Sequence, residues 1–415
     1  MSSGISSTKE QAGHGSPFLS FSTVFNNYFV PDELTDLMST SEKEKETYSI
    51  KKGDIFLTRT SEVIDELAMS CVATKDYPNA SYSGFLKRIR PTQTDVTYSK
   101  FMAFYLRSPM FRKTMTNNAV MTLRASLNED IFSYLDLLLP DFDEQVKVGD
   151  LLYLLNEKIE TNNRINAELE GMAKTIYDYW FVQFDFPDNN GKPYKTSGGK
   201  MVYNDVLKRE IPDGWSVKLF SELGFFKNGI NYDPKDVGDS TAKIVNVRNI
   251  SASTFFLKNS ELDELQLNQK DINKYLVTQS SILIARSGTP GAVRMLVPQK
   301  GNTIYCGFII SMTIYDEIEQ LIVFFRLKNL EQSILSQSSG SILKNVSQDT
   351  LKLIGLARPG DELLKAFNDH VSPIMETINS KLVENEQLVE LRDWLLPMLM
   401  NGQVTVNPST EPKNA

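Results

Sequence analysis

Two stretches of the chain carry apolar residues at alternating spacings of three and four. In the first, Val148, Leu151, Leu155, Lys158, Asn162, Ile165, Leu169, Met172 and Ile176 recur in this way; in the second, Phe367, Val371, Ile374, Ile378, Lys381, Asn385, Leu388, Arg392 and Leu395 do. A seam held over about five heptads argues for coiled-coil helices rather than ordinary core helices. The helix-pairing residues expected from it are Leu155, Ile165, Leu169 and Met172 on one side and Ile374, Ile378, Leu388 and Leu395 on the other. Each stretch starts just after a proline, with Asp141 or Asp143 and Asp361 as candidate N-caps, and Asn401-Gly402 supplies a stop for the second. About 33 residues at 1.5 Å each predict rods of roughly 50 Å. Two such rods in one chain pair most simply with each other. Elsewhere the pattern is of short β-rich runs (IFLTRT, GFLKRIR, SILIAR, YCGFIISMTIY) separated by polar turns. Residues 186–215, rich in Gly, Pro, Asn and Lys, read as a connector.

The chain also repeats itself. Residues 106–169 lie over residues 325–388 without a gap, at a constant offset of 219. Arg107 meets Arg326, Asp130 meets Asp349, Pro140 meets Pro359, Asp150 meets Asp369, Asn166 meets Asn385 and Leu169 meets Leu388. Upstream, GDIFLTRTS (53–61) pairs with SSILIARSG (280–288), and the segment from Gly4 resembles that from Gly229, with offsets enlarged by loop insertions. The sequence is one module used twice, each time a globular domain followed by a long helix.

Composition sharpens this picture. At 415 residues the chain is long enough for two or three domains with cores of their own. Two cysteines, Cys71 and Cys306, so far apart in sequence, cannot make a disulfide framework or a zinc finger. The N-terminus lacks an apolar signal stretch and no run could span a bilayer, so a soluble, cytoplasmic protein without a membrane partner is expected. The net charge of −8 speaks at first against nucleic acid. Its distribution reverses that: residues 141–170 and 361–393 carry −5 each, the remainder is +2, and residues 51–128 alone are +6. The acid is on the rods and the base is on the domains.

Basic domains beside acidic rods suit DNA phosphates. Candidate contacts in the first domain are Lys87, Arg88, Arg90, Arg107, Arg112, Lys113 and Arg124; in the second they are Lys243, Arg248, Arg286, Arg294, Arg326, Lys328 and Lys344. Arg59-Thr60-Ser61 and Arg286-Ser287-Gly288 stand at matched strand ends, where an arginine fork could reach guanine N7 and O6; Asn249 and Asn345 could read adenine edges. Any one of these charges is more often a solvated face than a contact, whereas the duplicated pattern favours binding. Catalytic signals are nearly absent: no phosphate loop, no dinucleotide fingerprint and no Cys/His metal spacing occurs. Asp213 with Asp233-Pro234-Lys235 loosely fits a metal-dependent nuclease, but a proline inside the motif distorts the strand such a site needs. A stand-alone nuclease or methyltransferase and a non-specific coiled-coil scaffold are the alternative readings.

Residues 176–224 (IYDYWFVQFDFPDNNGKPYKTSGGKMV…IPDGWSVKLFSELG) and 392–404 (RDWLLPMLMNGQV) resemble the specificity subunit of type I restriction-modification systems, and the resemblance covers nearly the whole chain. It implies an α+β protein with two tandem target-recognition domains separated by two long antiparallel coiled-coil helices in a pseudo-two-fold repeat. The expected organisation is a recognition domain over 1–139, a spacer helix over 140–182, a connector over 183–211, a second recognition domain over 212–358, a second spacer helix over 359–402 and a tail over 403–415. Each domain would read half of a bipartite double-stranded DNA site. Partners would be two modification methyltransferase subunits and restriction/translocase subunits. S-adenosylmethionine, ATP and Mg would sit on those partners, with no cofactor or catalytic residue in this chain. One departure stands out: IPDGWSVKLFSELGFFKNG precedes the second domain, but the first begins almost at its matching Gly4, so its lead-in is expected either to be missing or to come from another segment.

Overall fold

The computed structural model describes residues 1–406 apart from 7, 62, 64–65, 94, 119–124, 127–134, 234–237, 298–300 and 337–345. The chain divides into two compact units, Met1–Glu160 with Gln387–Ala415 and Thr161–Glu386. Both long helices therefore contribute to both units. The fold is α+β throughout.

In the first unit, strands Ser2–Ser3, Leu86–Ile89, Ile55–Thr58 and Ser70–Val72 form an antiparallel sheet in that order. A second sheet places Ala12–Leu19 antiparallel to Leu37–Met38 and parallel to Ser81–Tyr82. Every residue of Ile55–Thr58 is buried because the strand is covered on both faces. Its side chains alternate with the period of a strand. Phe56 enters a core with Leu19, Cys71, Tyr82 and Leu86. Ile55 and Leu57 enter another with Phe101, Phe104, Val148, Leu152, Leu396, Leu399 and Met400.

The second unit repeats this plan. Strands Gly224–Asn228, Ile309–Ile314, Ser281–Ala285, Val293–Leu296 and Phe256–Leu257 form a sheet in that order. Ser240–Val245 is antiparallel to Asp263–Leu267 and parallel to Thr303–Tyr305. Ile282 and Ile284 face the core that contains Tyr177, Phe181, Phe367, Val371 and Ile378, while Leu283 and Ala285 face the other. The segment 184–215 is ordered: Phe186 stacks between Tyr194 (4.7 Å) and Trp215 (5.2 Å), and Met201–Asn204 pairs with Arg209–Pro212.

The first long helix runs Phe142–Tyr177 and the second Asp361–Met400. Asp141 caps the first by accepting the Glu144 N–H at 2.8 Å. Asp361 is not a cap: it is the first helical residue, the carbonyl of Gly360 accepts the Leu364 N–H, and the carboxylate takes Arg358 at 2.7 Å. Gly402, at φ 68°, ends the second helix with the Gln403 N–H returning to the Met398 carbonyl at 2.9 Å. Within the second unit the helices run antiparallel, since Asn162 meets Asn385 (2.8 Å) while Tyr177 packs on Phe367.

The seam of the first helix differs from expectation at alternate positions. Met172 is 54% exposed and Lys158 also faces solvent, whereas Leu152, Ile159, Asn166 and Ala173 are buried. Leu155, Ile165 and Leu169 are half-buried. The phase is four-three rather than three-four. Adjacent apolar pairs such as Leu151-Leu152 satisfy both phases, so periodicity does not choose the flank that meets a partner. On the second helix Ile378 is buried, and Ile374, Leu388 and Leu395 are half-buried.

Candidate nucleic-acid interface

The strand ends that the repeat singled out carry the same geometry in both domains. Ile55–Thr58 runs into Arg59, whose backbone N–H donates to the Phe85 carbonyl at 2.8 Å. Ser281–Ala285 runs into Arg286, whose N–H donates to the Phe308 carbonyl at 2.9 Å. Both arginine side chains are exposed. Thr60–Ser61 pairs with Ala125–Ser126, and the Ser61 hydroxyl donates to Glu66 at 3.4 Å. Gly288, at φ 74°, turns the chain away after Ser287. Arg286, Ser287 and Phe308 line a cleft with Asn228, Gly229 and Asn231.

The other candidates separate into exposed and structural groups. Lys87, Arg88 and Arg90 share one strand and its end. Lys87 is buried; Arg88 donates to the Ser49 carbonyl at 2.6 Å and lies over the Tyr82 ring. Arg90 grips Asp54 through two bonds of 2.6 Å, which raise its pKa. Lys243 donates to the Asn259 carbonyl at 3.1 Å, and the exposed Arg248 pairs with Asp263. Arg326 is half-buried and shares a cleft with Arg209 and Asp178. Arg124, Lys344 and Asn345 lie outside the described residues, as does the Pro234-Lys235 half of the nuclease motif. Its other acid, Asp213, forms an ion pair with Lys200 at 3.0 Å.

Three expected contacts are corrected. The Arg107 guanidinium donates to the carbonyls of Ser70, Val24, Phe25 and Asn27 at 2.7–2.9 Å, and burial lowers its pKa. Arg294 is 5% exposed, bonded to Ser253 and Glu331. Asn249 is 3% exposed, accepts the Asn246 N–H and donates to the Glu261 carbonyl. Their donors are committed inward because an unmatched buried polar group costs more than the bond it forgoes. Sequence reasoning missed Phe85, Phe308, Asn228 and Asn231. The first two carried a signal, the repeated Tyr-x-Gly-Phe at 82–85 and 305–308.

Two domains of one design, each tied to a long helix and each presenting an exposed arginine at the same strand end, define a duplicated recognition protein. Residues 4–171 match the family model described as the type I restriction modification DNA specificity domain. The chain is 24% identical over 359 residues to the type I restriction enzyme MjaIX specificity subunit of Methanocaldococcus jannaschii, covering 86% of this chain and 78% of that one. It is 24% identical over 451 residues to the HindI specificity subunit of Haemophilus influenzae, covering 93% and 94%. Its fold is similar to the crystal structure of a type I restriction-modification S subunit from M. genitalium, with a TM-score of 0.53 at 13% identity over 98% of this chain and 94% of that one. Over most of its length the chain is thus similar to type I restriction-modification specificity subunits. Among the described residues no helix is long and apolar enough to cross a membrane.

Proposed function

We propose that this chain is the sequence-specific, double-stranded DNA-binding subunit of a type I restriction-modification complex. In this reading it recognises a bipartite site through its two domains and recruits modification and restriction subunits. The observation that carries the reading is the duplication itself: the same order of four paired strands, the same two-sided central strand and the same exposed arginine recur in both units. A duplicated reader suits a target of two half-sites. Arg59 and Arg286 are the direct-readout candidates, with Arg88, Arg90 and Arg248 setting register on phosphates.

The chain carries no catalysis in this reading. Two methyltransferase subunits bring S-adenosylmethionine and methylate adenine, and the restriction subunits bring ATP and Mg. The long helices set the gap between half-sites. Mapping methylated adenines genome-wide, in the source strain and in a strain lacking this gene, tests the reading. A bipartite motif modified only when the gene is present is expected; an unchanged methylation map would overturn it. Arg286→Ala should then lose selectivity at one base of one half-site, a discrimination of about 1–3 kcal/mol. Equal weakening on all sequences would make it a phosphate contact instead.

A further inference from the structure

A single exposed aromatic ring is ordinary on a protein surface. This molecule has two at matched positions, held by the same backbone bonds. Phe85 is 64% exposed and Phe308 is 63% exposed. Each follows a glycine at the tip of a turn, in Tyr82-Ser83-Gly84-Phe85 and Tyr305-Cys306-Gly307-Phe308. The turn is crossed by a Gly-Ile pair from the start of its own domain. The Ile5 N–H donates to Tyr82 (2.9 Å) and Ile5 accepts from Gly84 (2.6 Å); the Ile230 N–H donates to Tyr305 (2.9 Å) and Ile230 accepts from Gly307 (2.7 Å). Behind the turn, Ser83 donates to Leu19 and Cys306 to Val245, both at 3.0 Å. The crossing is so close that a Cβ on Gly4 would stand 2.2 Å from the Tyr82 carbonyl oxygen, and one on Gly229 2.2 Å from that of Tyr305.

The phenylalanine carbonyl accepts the N–H of Arg59 in one domain and Arg286 in the other. The Arg286 guanidinium also reaches the Gly307 carbonyl at 3.4 Å. Phenylalanine and arginine are thus joined through their backbones on a braced turn. Around Phe308 the cleft is lined by Asn228, Asn231, Arg286 and Ser287, groups that donate to phosphates and base edges. The other exposed rings of that sheet, Phe225 and Tyr315, lie at the opposite end of the paired strands, since Asn228 pairs with Ile310 and Gly224 with Ile314. An isolated ring amid cationic and amide groups lacks the contiguous apolar area of a protein-docking patch. It fits the base edges that a duplex presents in its grooves, where an apolar side chain meets the thymine methyl group.

We propose that Phe85 and Phe308 are DNA-contacting residues, one per half-site, which pack against base edges in a groove while the adjacent Arg59 and Arg286 hold phosphate or a guanine edge. The proposal rests on the DNA-reading function above. The test uses the complex purified from the source organism through a tag on this chain, and a pool of random-sequence duplexes. The wild-type complex is expected to enrich a bipartite motif. On that duplex Phe85→Ala and Phe308→Ala should each lose roughly ten-fold or more in affinity, the size expected for burying one such side chain. Phe308→Leu, which keeps apolar bulk but not the ring, should lose binding as well, and Phe308→Tyr should retain it. Unchanged affinity in both alanine variants overturns the proposal and leaves the proposed function standing. Loss of a co-purifying subunit with DNA affinity intact would assign the rings to a protein face, and also overturns it. A wild-type complex that enriches no motif removes both.

Discussion

Arginine is expensive to bury unless its five donors find acceptors, so each guanidinium here can be sorted by what it meets. Arg107 meets four backbone carbonyls, and Arg294 meets a carbonyl and the Glu331 carboxylate. Arg59 and Arg286 instead leave their side chains in solvent while their backbones are bonded. Opposite outcomes follow for two similar substitutions. Arg107→Ala should destabilise the first unit by about 2–3 kcal/mol, because several buried carbonyls lose their donor. Arg286→Ala should stay within about 0.5 kcal/mol of wild type in stability. Urea titrations measure both, and a stable Arg107→Ala protein would return that residue to the DNA-contact group. From sequence the two arginines looked alike, because burial is not written in residue type.

At the scale of elements, the long helices show what periodicity resolves. Their existence and pairing follow from the heptads; the flank does not. Asn162, Asn166 and Asn385 sit in the buried seam, where a polar residue fixes register at a cost in stability. Asn162 donates to Asn385 and Glu384, and Asn385 donates to Asn163 at 2.9 Å. Neither side-chain atom of Asn166 has a hydrogen-bond partner among the described residues. Asn166→Leu should therefore stabilise the protein by roughly 1–2 kcal/mol. Asn162→Leu, which removes the donor to the Asn385 side-chain oxygen and to the Glu384 carboxylate, should not. The midpoints of urea unfolding decide between them, and a fall for Asn166→Leu would show that its amide is bonded after all. The strands teach a similar lesson: GDIFLTRTS and SSILIARSG were legible as equivalent, but that each strand feeds two cores through alternate residues needed the sheets and helices on both faces.

For the whole molecule, the end of the chain belongs with its beginning. Leu396, Leu399 and Met400 share a core with Leu57, Phe101 and Leu152, and Val406 packs against it. A chain ending at Glu386 should leave residues 1–160 open to protease while 161–386 stays protected. Limited proteolysis with mass spectrometry reads this out, and equal resistance of both units would contradict the shared core. The proposed spacing role has its own test. One heptad inserted into both helices adds about 10 Å, close to three base pairs. The gap in the methylated motif should widen accordingly, and an unchanged gap would sink the idea. By itself the sequence determined that one module is used twice, that each ends in a heptad helix, and that acid lies on the helices and base on the domains, since repeats, periods and charge are local properties of the chain. Tertiary structure alone decided which flank of the first helix is buried, which arginines face solvent, where the last helical turns pack and that Phe85 and Phe308 stand out in pairs. Each of those depends on partners distant in sequence, and burial is conferred by such partners.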